Sequence, residues 1–382
     1  HPNAFYLRTR QRGMQNWDGK IHYITKTGQF KIGLLPKVYD MCIEMGIKPK
    51  VVDMRQPLPK ISKVVTNIGK YKLRPEQEKA VKSVINNRVG DTPFHIGVLD
   101  YTVNAGKTLI MSSLYLSYKK QLKTLLITND SDWLNQAREE FKQYLPGEDI
   151  TFVQGKVLNW SNFTIGMVQS ISRNMRFYQK ELSQIDMVLV DEADQGGSKQ
   201  YQNVITRLFN TRIRIGLSGT IYMSKLAKDK VKNMNLECFF GKVIAEFKLK
   251  DSIKKGYSTK TVVKMVPGKP WYGNWESDCI SYKEIYDDSI TNCYTAWLMA
   301  YNRLLWNLNQ GRYPALVVCK HIAHCENLYK FFKKKLGDAY NIAYVHVNTP
   351  SKLRQQIMKD FREGKIDILV STTIIARGKN FP

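Results

Sequence analysis

Short apolar runs alternate with amphipathic segments along most of this 382-residue chain. Between Tyr71 and Tyr222 the amphipathic segments are Pro75–Asn86, Lys107–Lys119 and Trp133–Tyr144, and the apolar runs are His95–Leu99, Thr124–Thr128, Phe163–Val168, Met187–Val190 and Ile213–Leu217. Apolar strands that alternate with helices are typical of a parallel sheet covered on both faces. The pattern therefore predicts an α/β lobe.

A second region of the same kind begins near Lys242. Its apolar runs are Thr261–Val266, Ala315–Cys319, Ile342–Val347 and Ile366–Val370, and its helical patterns are Asp278–Asn309, Ile322–Leu336 and Ser351–Arg362. Together the two regions predict two tandem parallel-sheet lobes with a cleft between them.

The start of the chain is predicted to form a small basic α+β module. It has alternating segments at Lys20–Thr25 and Gln29–Leu35, a helical pattern from Pro36 to Met45 and a linker with two prolines at Gln56–Lys60. We therefore expect this module at residues 1–66, a first lobe at 67–225 and a second lobe at 226–382.

The amino-acid composition gives the chain a strong positive charge. The chain has 59 Lys and Arg residues against 33 Asp and Glu residues, a net charge of +26 that is spread along its length. Such a balance is expected where phosphates must be neutralised, although a basic surface can also serve solubility alone. No apolar run approaches the roughly 20 residues of a bilayer span, so no membrane partner is predicted. The six cysteines form no CxxC pair, which favours reduced thiols and a cytoplasmic location.

A candidate phosphate-binding loop follows the first predicted strand. Small residues there would let backbone N–H groups approach phosphates, Lys107 would reach the β- and γ-phosphates, and Thr108 would bind Mg²⁺. Tyr101 stands where the first glycine of such loops is usual, so the pattern is degenerate. The predicted ATP-binding residues of this loop are Asn104, Ala105, Gly106, Lys107 and Thr108.

An acidic pair follows a later strand and favours the same interpretation. Asp191 and Glu192 come directly after Met187–Val190, and acids at the carboxyl end of a parallel strand lie at the ligand edge of the sheet. Asp191 would bind Mg²⁺, and Glu192 would orient or deprotonate the attacking water. The alternative is a solvated acidic turn. The predicted catalytic residues are Lys107, Asp191 and Glu192.

Several short motifs resemble those of superfamily 2 helicases, which have two RecA-like lobes. Asp191–Asp194 resembles motif II, Ser218–Thr220 resembles motif III, Val370–Pro382 is similar to motif V, and Leu73–Gln77 resembles the element whose Gln reads adenine. The resemblance implies a base site at Gln77 and Tyr71, closure over ATP by Gly378 and Asn380 of the second lobe, and coupling through Ser218 and Thr220. Asn380 replaces the more usual Asp.

Within that superfamily, other segments resemble phage UvsW-type DNA helicases. They are Trp17–Lys20 with Ile32–Leu35, Thr164–Ser170 (motif Ib) and Val318–His324 (motif IV). This resemblance implies ATP-dependent action on forks and Holliday junctions in replication, recombination and repair, and the host cytoplasm if the chain is phage-encoded. It implies contacts to branched DNA at Gln169, Ser170, Lys320, His321 and Thr372.

Alternatives remain open. The letters of Asp191–Asp194 are shared with DEAD-box RNA helicases, but Thr128–Gln136 stands where those enzymes have a Pro-Thr-Arg-Glu-Leu segment. An ATP-switched binding protein and a translocase on double strands are further options. Motif VI is not present by Pro382, so we expect this chain to bind ATP better than it hydrolyses it. The loop Lys269–Trp275 could stack on bases or form a local cluster, and the spacing of Cys319, His321, His324 and Cys325 matches no structural zinc finger.

Overall fold

The computed structural model describes residues 18–61, 63–118, 121–155, 157–221, 227–260, 262–265 and 281–375. The chain divides into two compact units, His1–Thr261 and Val262–Pro382. No helix among the described residues has both the length and the apolar character needed to cross a membrane.

The first unit is built on one large sheet. Its strands are β1 (Ile96–Tyr101), β2 (Thr124–Thr128), β3 (Ile150–Gln154), β4 (Val157–Leu158), β5 (Phe163–Met167), β6 (Met187–Asp191), β7 (Ile213–Ser218) and β8 (Val243–Phe247). They lie in the order β8-β1-β7-β6-β2-β5-β3-β4, and all neighbours are parallel except the hairpin of β3 and β4.

Helices cover both faces of this sheet. Alternate residues of one strand enter different cores, with Leu189 in one apolar cluster and Val188 and Val190 in the other. This explains why the strand is apolar throughout. The helices are α1 (Leu35–Glu44), α2 (Pro75–Ile85), α3 (Lys107–Ser117), α4 (Ser131–Tyr144), α5 (Val168–Arg173), α6 (Gln179–Ser183), α7 (Lys199–Ile205), α8 (Ala227–Phe240) and α9 (Leu249–Lys254).

The second unit has a smaller parallel sheet, in which the strand Ile368–Thr372 lies between Ala315–Cys319 and Ile342–Val345. Leu304, Leu308, Phe332 and Ile368 belong to its main apolar core. The two parallel sheets confirm the predicted α/β class with two RecA-like lobes. The elements are α10 (Tyr282–Tyr286), α11 (Tyr294–Asn309), β9 (Ala315–Cys319), α12 (Ile322–Leu336), β10 (Ile342–Val345), α13 (Ser351–Arg362) and β11 (Ile368–Thr372).

Three segments differ from the predictions. Strand β8 pairs with β1, so the first sheet includes residues beyond the predicted limit of the first lobe at 225. Residues 262–265 form no strand, because this apolar stretch is exposed and has no neighbouring strand to pair with among the described residues. The alternating segments before α1 form only an isolated bridge between Ile24 and Phe30, followed by a 3₁₀ turn at Ile32–Leu34.

The segment before α1 packs against α8 through Gly33. A Cβ atom at this position would lie 2.2 Å from the carbonyl oxygen of Glu237 and 2.7 Å from that of Cys238, both backbone atoms of α8. The next residue, Leu34, is buried in the core that includes Cys238. The close approach of two backbones therefore requires glycine at position 33.

We expect Gly33→Ala to lower the free energy of unfolding by about 1–3 kcal/mol, because the added methyl group forces the two backbones apart. Urea unfolding followed by circular dichroism measures this. Gly197→Ala is the matched control, because its Cβ would meet the nearest atom at an ordinary 3.5 Å. Equal stabilities of the two variants would contradict the packing of Gly33 on α8.

Candidate nucleotide and nucleic-acid sites

The loop between β1 and α3 has the backbone of a phosphate-binding loop. Asn104 and Gly106 both have positive φ angles, 62° and 74°, and α3 begins directly at Lys107. No side chain caps the start of this helix among the described residues. The first N–H groups of α3 and its positive dipole end are therefore available to an anion.

Lys107 extends from this loop to the acidic pair. Its Nζ lies 3.6 Å from Oδ1 of Asp191 and 3.7 Å from Oε1 of Glu192. Asp191 ends β6, which is separated from β1 only by β7, so the carboxyl ends of neighbouring parallel strands bring these groups together. The structure thus places the three predicted catalytic residues side by side, while their roles stay predictions.

Asp191 suits a hard cation. Its side chain is only 2% exposed, and Oδ1 has no hydrogen-bond partner among the described residues. The pKa of Asp191 is raised to about 6, chiefly by burial; Lys107 opposes this rise, and nearby Glu192 contributes to it. A buried carboxylate oxygen without a donor fits Mg²⁺, which normally takes one or two protein oxygens and completes its shell with water and phosphate. Thr108, the next residue after Lys107, is the second predicted ligand.

Ser218, at the end of β7, connects the acidic segment to motif III. Its hydroxyl lies 3.5 Å from Oε2 of Glu192, 3.4 Å from Oδ1 of Asp194 and 3.2 Å from the hydroxyl of Thr220. The Thr220 N–H also donates to the Ser218 hydroxyl at 3.2 Å. Movement of this loop would therefore reach Glu192 directly.

The side-chain amide of Gln77 forms two hydrogen bonds to the backbone. Its amide nitrogen donates to the Ala105 carbonyl at 2.8 Å, and its oxygen accepts from the Arg74 N–H at 2.8 Å. It thereby caps α2 and holds the phosphate loop, which leaves one amide hydrogen for a base. Tyr71 packs edge-on against Tyr144 with ring centroids 5.2 Å apart. The adenine contacts of Gln77 and Tyr71 stay predictions.

Arg74 is a site residue that the sequence reasoning missed. Its guanidinium donates to the Asn104 carbonyl at 3.2 Å, pairs with Glu76 at 3.1 Å and lies 4.2 Å from the ring centroid of Tyr257. The position of Arg74 next to Gln77 was a usable signal. Tyr257 is 183 residues further along the chain, and no local pattern indicates this contact.

Two predicted nucleic-acid contacts of the second unit lie next to tyrosines, of which Tyr282 is exposed and Tyr286 is half-buried. Lys320 follows β9, and its Nζ lies 4.2 Å from the ring centroid of Tyr282 and 3.1 Å from the Tyr282 hydroxyl. The His321 ring packs edge-on against Tyr286 at 4.7 Å, and its buried Nε2 has no partner among the described residues. Thr372 is the register partner of Cys319, so it ends β11 beside Lys320. Sequence reasoning did not select the two tyrosines.

The contacts predicted in the first unit lie at the start of α5. The side-chain amide of Gln169 donates to the Asn129 carbonyl at 3.3 Å, and the Ser170 hydroxyl accepts from the Gly155 N–H at 2.9 Å. Both side chains thus hold neighbouring loops, and their nucleic-acid contacts stay predictions. Gly378, Asn380, Trp17 and the loop Lys269–Trp275 lie outside the described residues.

Family models match both units. Residues 70–223 match the family "Type III restriction enzyme, res subunit", and residues 298–382 match the family "Helicase conserved C-terminal domain". The two matches together cover more than half of the chain and include the phosphate loop, the acidic pair and Lys320.

Among curated proteins, the ATP-dependent RNA helicase RhlB of Shewanella woodyi is 36% identical over 78 residues, 20% of this chain and 17% of that protein. The ATP-dependent RNA helicase CHR1 of Candida albicans is 22% identical over 207 residues, 53% of this chain and 29% of that protein. The chain therefore aligns with less than a third of either relative.

Two solved structures are similar to this chain at low sequence identity. S. cerevisiae Dbp5 bound to Gle1 and IP6 gives a TM-score of 0.51 at 15% identity, covering 81% of this chain and 72% of that one. The UvsW helicase from Bacteriophage T4 gives a TM-score of 0.49 at 20% identity, covering 64% of this chain and 93% of that one. The helicase domains imply use of ATP and binding of nucleic acid. By its two helicase domains and the paired parallel sheets that carry them, the chain belongs to the superfamily 2 helicases.

Proposed function

We propose that this chain is an ATP-driven DNA motor that acts on forks and Holliday junctions in replication, recombination and repair. The observation that carries the motor is the meeting of Lys107 with Asp191 and Glu192 at the carboxyl edge of one parallel sheet. Preference for DNA is supported by the match to a restriction-enzyme family, since restriction is a DNA reaction, and by the UvsW-type motifs.

Each residue of the nucleotide site has a distinct proposed task. Lys107 and the start of α3 hold the β- and γ-phosphates, and Gln77 faces the base while it supports the loop. Glu192 orients the attacking water and accepts its proton. Asp191 and Thr108 would hold Mg²⁺, which when bound supplies positive charge to the phosphate oxygens.

The net charge of +26 supplies the long-range attraction to a polyanion. Short-range contacts are assigned to Gln169 and Ser170 in the first unit and to Lys320, His321 and Thr372 in the second. The Ser218 hydroxyl contacts both Glu192 and Thr220. A movement of Glu192 on loss of the γ-phosphate would therefore be passed to motif III through a single side chain. We propose that this contact couples hydrolysis to movement along the strand.

An RNA helicase is the second candidate. It is favoured by the names of the curated relatives RhlB and CHR1, which are both ATP-dependent RNA helicases. A common motor would serve either polymer, since phosphates dominate affinity and only contacts to the sugar or groove distinguish RNA from DNA.

The test is ATP turnover with no nucleic acid, single-stranded DNA, forked DNA and single-stranded RNA, with Lys107→Ala as the blank. Strongest stimulation by forked DNA supports the branched-DNA motor, and strongest stimulation by RNA supports the second candidate. Equal turnover under all four conditions, with nucleic acid bound, would contradict the proposal of a motor. ATP would then act only as a ligand that controls the conformation of the protein.

We expect Ser218→Ala to separate ATP turnover from strand separation. Turnover should fall by no more than about tenfold, because the hydroxyl makes only long hydrogen bonds to the acids. Strands separated per ATP should fall by about 5- to 150-fold, the range of typical coupling energies. The control is Ser183→Ala, whose hydroxyl donates to Lys180 within its own helix. A proportional loss of both activities would argue against coupling through Ser218.

A further inference from the structure

One exposed tryptophan of the second unit is surrounded by three cations. Trp306 lies near the end of α11 and is 40% exposed. The Arg303 guanidinium lies 4.2 Å from its ring centroid, the Lys264 Nζ 4.7 Å and the Arg312 guanidinium 5.0 Å. We call these four residues the Trp306 patch.

Separate parts of the chain converge to form the patch. Arg303 lies one helical turn before Trp306 on α11. Arg312 returns to the ring because the chain reverses at Gly311, which has a φ of +67°, and the Arg312 N–H donates to the Asn307 carbonyl at 3.0 Å. Lys264 comes from the exposed segment 262–265. The three cations therefore meet at one ring because of the fold, and not only because they are close in the sequence.

The ring itself is not needed for packing. Leu304 and Leu308, on the same helix, are buried in the core with Phe331 and Phe332, whereas Trp306 is exposed. A large exposed aromatic surface costs free energy in water, and its flat face can stack on another π-system. The tryptophan is therefore available to a ligand, and its substitution leaves the core in place.

The charges of the patch are unbalanced. Because all three cations lie within 5.0 Å of one centroid, any two are at most about 10 Å apart, within one Debye length at 0.1 M salt. In the described ranges of the chain none of the three forms an ion pair with an acid. Each cation–π contact at an exposed site contributes only about 0.5–1 kcal/mol. An anion with several charges would offset the repulsion.

We propose that the Trp306 patch binds single-stranded polynucleotide, with a base stacked on the indole and successive phosphates paired with Lys264, Arg303 and Arg312. Aromatic faces combined with cations are the general means of holding single strands. An acidic peptide would use the cations but would leave the stacking surface without a partner. This inference rests on the proposed function, because it adds a second nucleic-acid contact to the same motor.

The patch is separate from the contact predicted at Lys320. Arg312 lies shortly before Ala315, where β9 begins, whereas Lys320 and His321 follow Cys319, where β9 ends. A five-residue strand spans about 16 Å, so the two contacts are at opposite edges of this sheet. The patch would therefore hold a different segment of nucleic acid from the one at Lys320.

The experiment is fluorescence anisotropy of a labelled oligothymidylate, without ATP, at several salt concentrations. The variants are Trp306→Ala, Trp306→Phe, and the triple variant Lys264→Gln, Arg303→Gln, Arg312→Gln. The matched control is Lys180→Gln, Lys334→Gln, Lys352→Gln, which removes the same charge from exposed positions outside the patch. Circular dichroism and ATP turnover without nucleic acid verify that each variant is folded.

We expect Trp306→Ala to weaken binding about 5- to 150-fold with an unchanged salt dependence, and Trp306→Phe to restore most of the affinity. The patch triple variant should reduce the slope of log K against log salt by about 2, since each single-strand phosphate contact contributes about 0.7, and the control triple variant should reduce it less. Wild-type affinity of Trp306→Ala, or equal slopes of the two triple variants, would overturn the inference. If the patch variants bind like wild type while DNA still stimulates turnover, only this inference fails. If the unmodified chain binds no oligothymidylate, the proposed function fails with it.

Discussion

Replacing Glu192 by Gln is expected to lower ATP turnover by about 10²- to 10⁴-fold, the usual contribution of a positioned general base. The amide keeps the size of the carboxylate and still offers an oxygen to Ser218, which lies 3.5 Å away. It cannot accept a proton from water. The loss should therefore fall on the chemical step, while ATP affinity changes by less than about threefold.

The measurement is single-turnover hydrolysis of labelled ATP with saturating DNA, together with ATP affinity from a fluorescent analogue. Glu139→Gln is the matched control, because it removes an exposed carboxylate from α4 that pairs only loosely with Lys142, at 3.7 Å. Reduced affinity with an unchanged chemical rate would show that Glu192 serves binding. Wild-type turnover by Glu192→Gln would contradict the assignment of Glu192 as the general base.

Several elements could be predicted from the sequence because their patterns are local. Thr124–Thr128 and Ala315–Cys319 have the predicted limits, as do the helices Ile322–Leu336 and Ser351–Arg362. The strand at Thr124–Thr128 is buried along its whole length, and the two helices have one clear apolar face. In these segments the period of the side chains alone determines the element.

Other elements depend on partners that are distant in the sequence. Val243–Phe247 has four buried or half-buried apolar positions and one exposed residue, Glu246, and it becomes a strand because β1 offers a free edge about 145 residues earlier. The segment 262–265 is also mainly apolar, yet it forms no strand and remains exposed. Strand formation there is decided by the neighbouring strand and not by composition.

The candidate site follows the same division. The sequence predicts that Lys107 and Asp191 lie close together, since the carboxyl ends of parallel strands share one edge of the sheet. Arg74 with Tyr257, and Lys320 with Tyr282, depend on packing between segments that no spacing rule connects. The sequence also did not predict the hydrogen bonds of Gln77. A predicted contact to a base gives no sign that the oxygen and the nitrogen of this amide both bond to backbone atoms.

Lys107→Ala is expected to reduce ATP turnover by about 10²- to 10³-fold and to weaken ATP affinity about tenfold. The lysine provides the positive side chain beside the predicted phosphate site, and removal of one preorganised donor for a developing charge typically costs 10²- to 10³-fold in rate. Unlike Glu192→Gln, this change should affect binding and chemistry together, because the charge of Lys107 faces phosphate in both the ground state and the transition state.

The same substitution should also destabilise the protein in the absence of nucleotide and Mg²⁺. Lys107 is the cation nearest to buried Asp191, and it lowers the pKa that burial raises. Without it, the charged carboxylate loses its compensation, and we expect the free energy of unfolding to fall by about 1–3 kcal/mol. The double variant Lys107→Ala, Asp191→Asn should regain this stability but no ATP turnover, since the amide carries no charge to bury. Urea unfolding in EDTA and ATP turnover in Mg²⁺ separate the two effects. If the double variant were no more stable than Lys107→Ala, then Lys107 would not serve as the counter-charge of Asp191, and its 3.6 Å approach to that carboxylate would matter for phosphate alone.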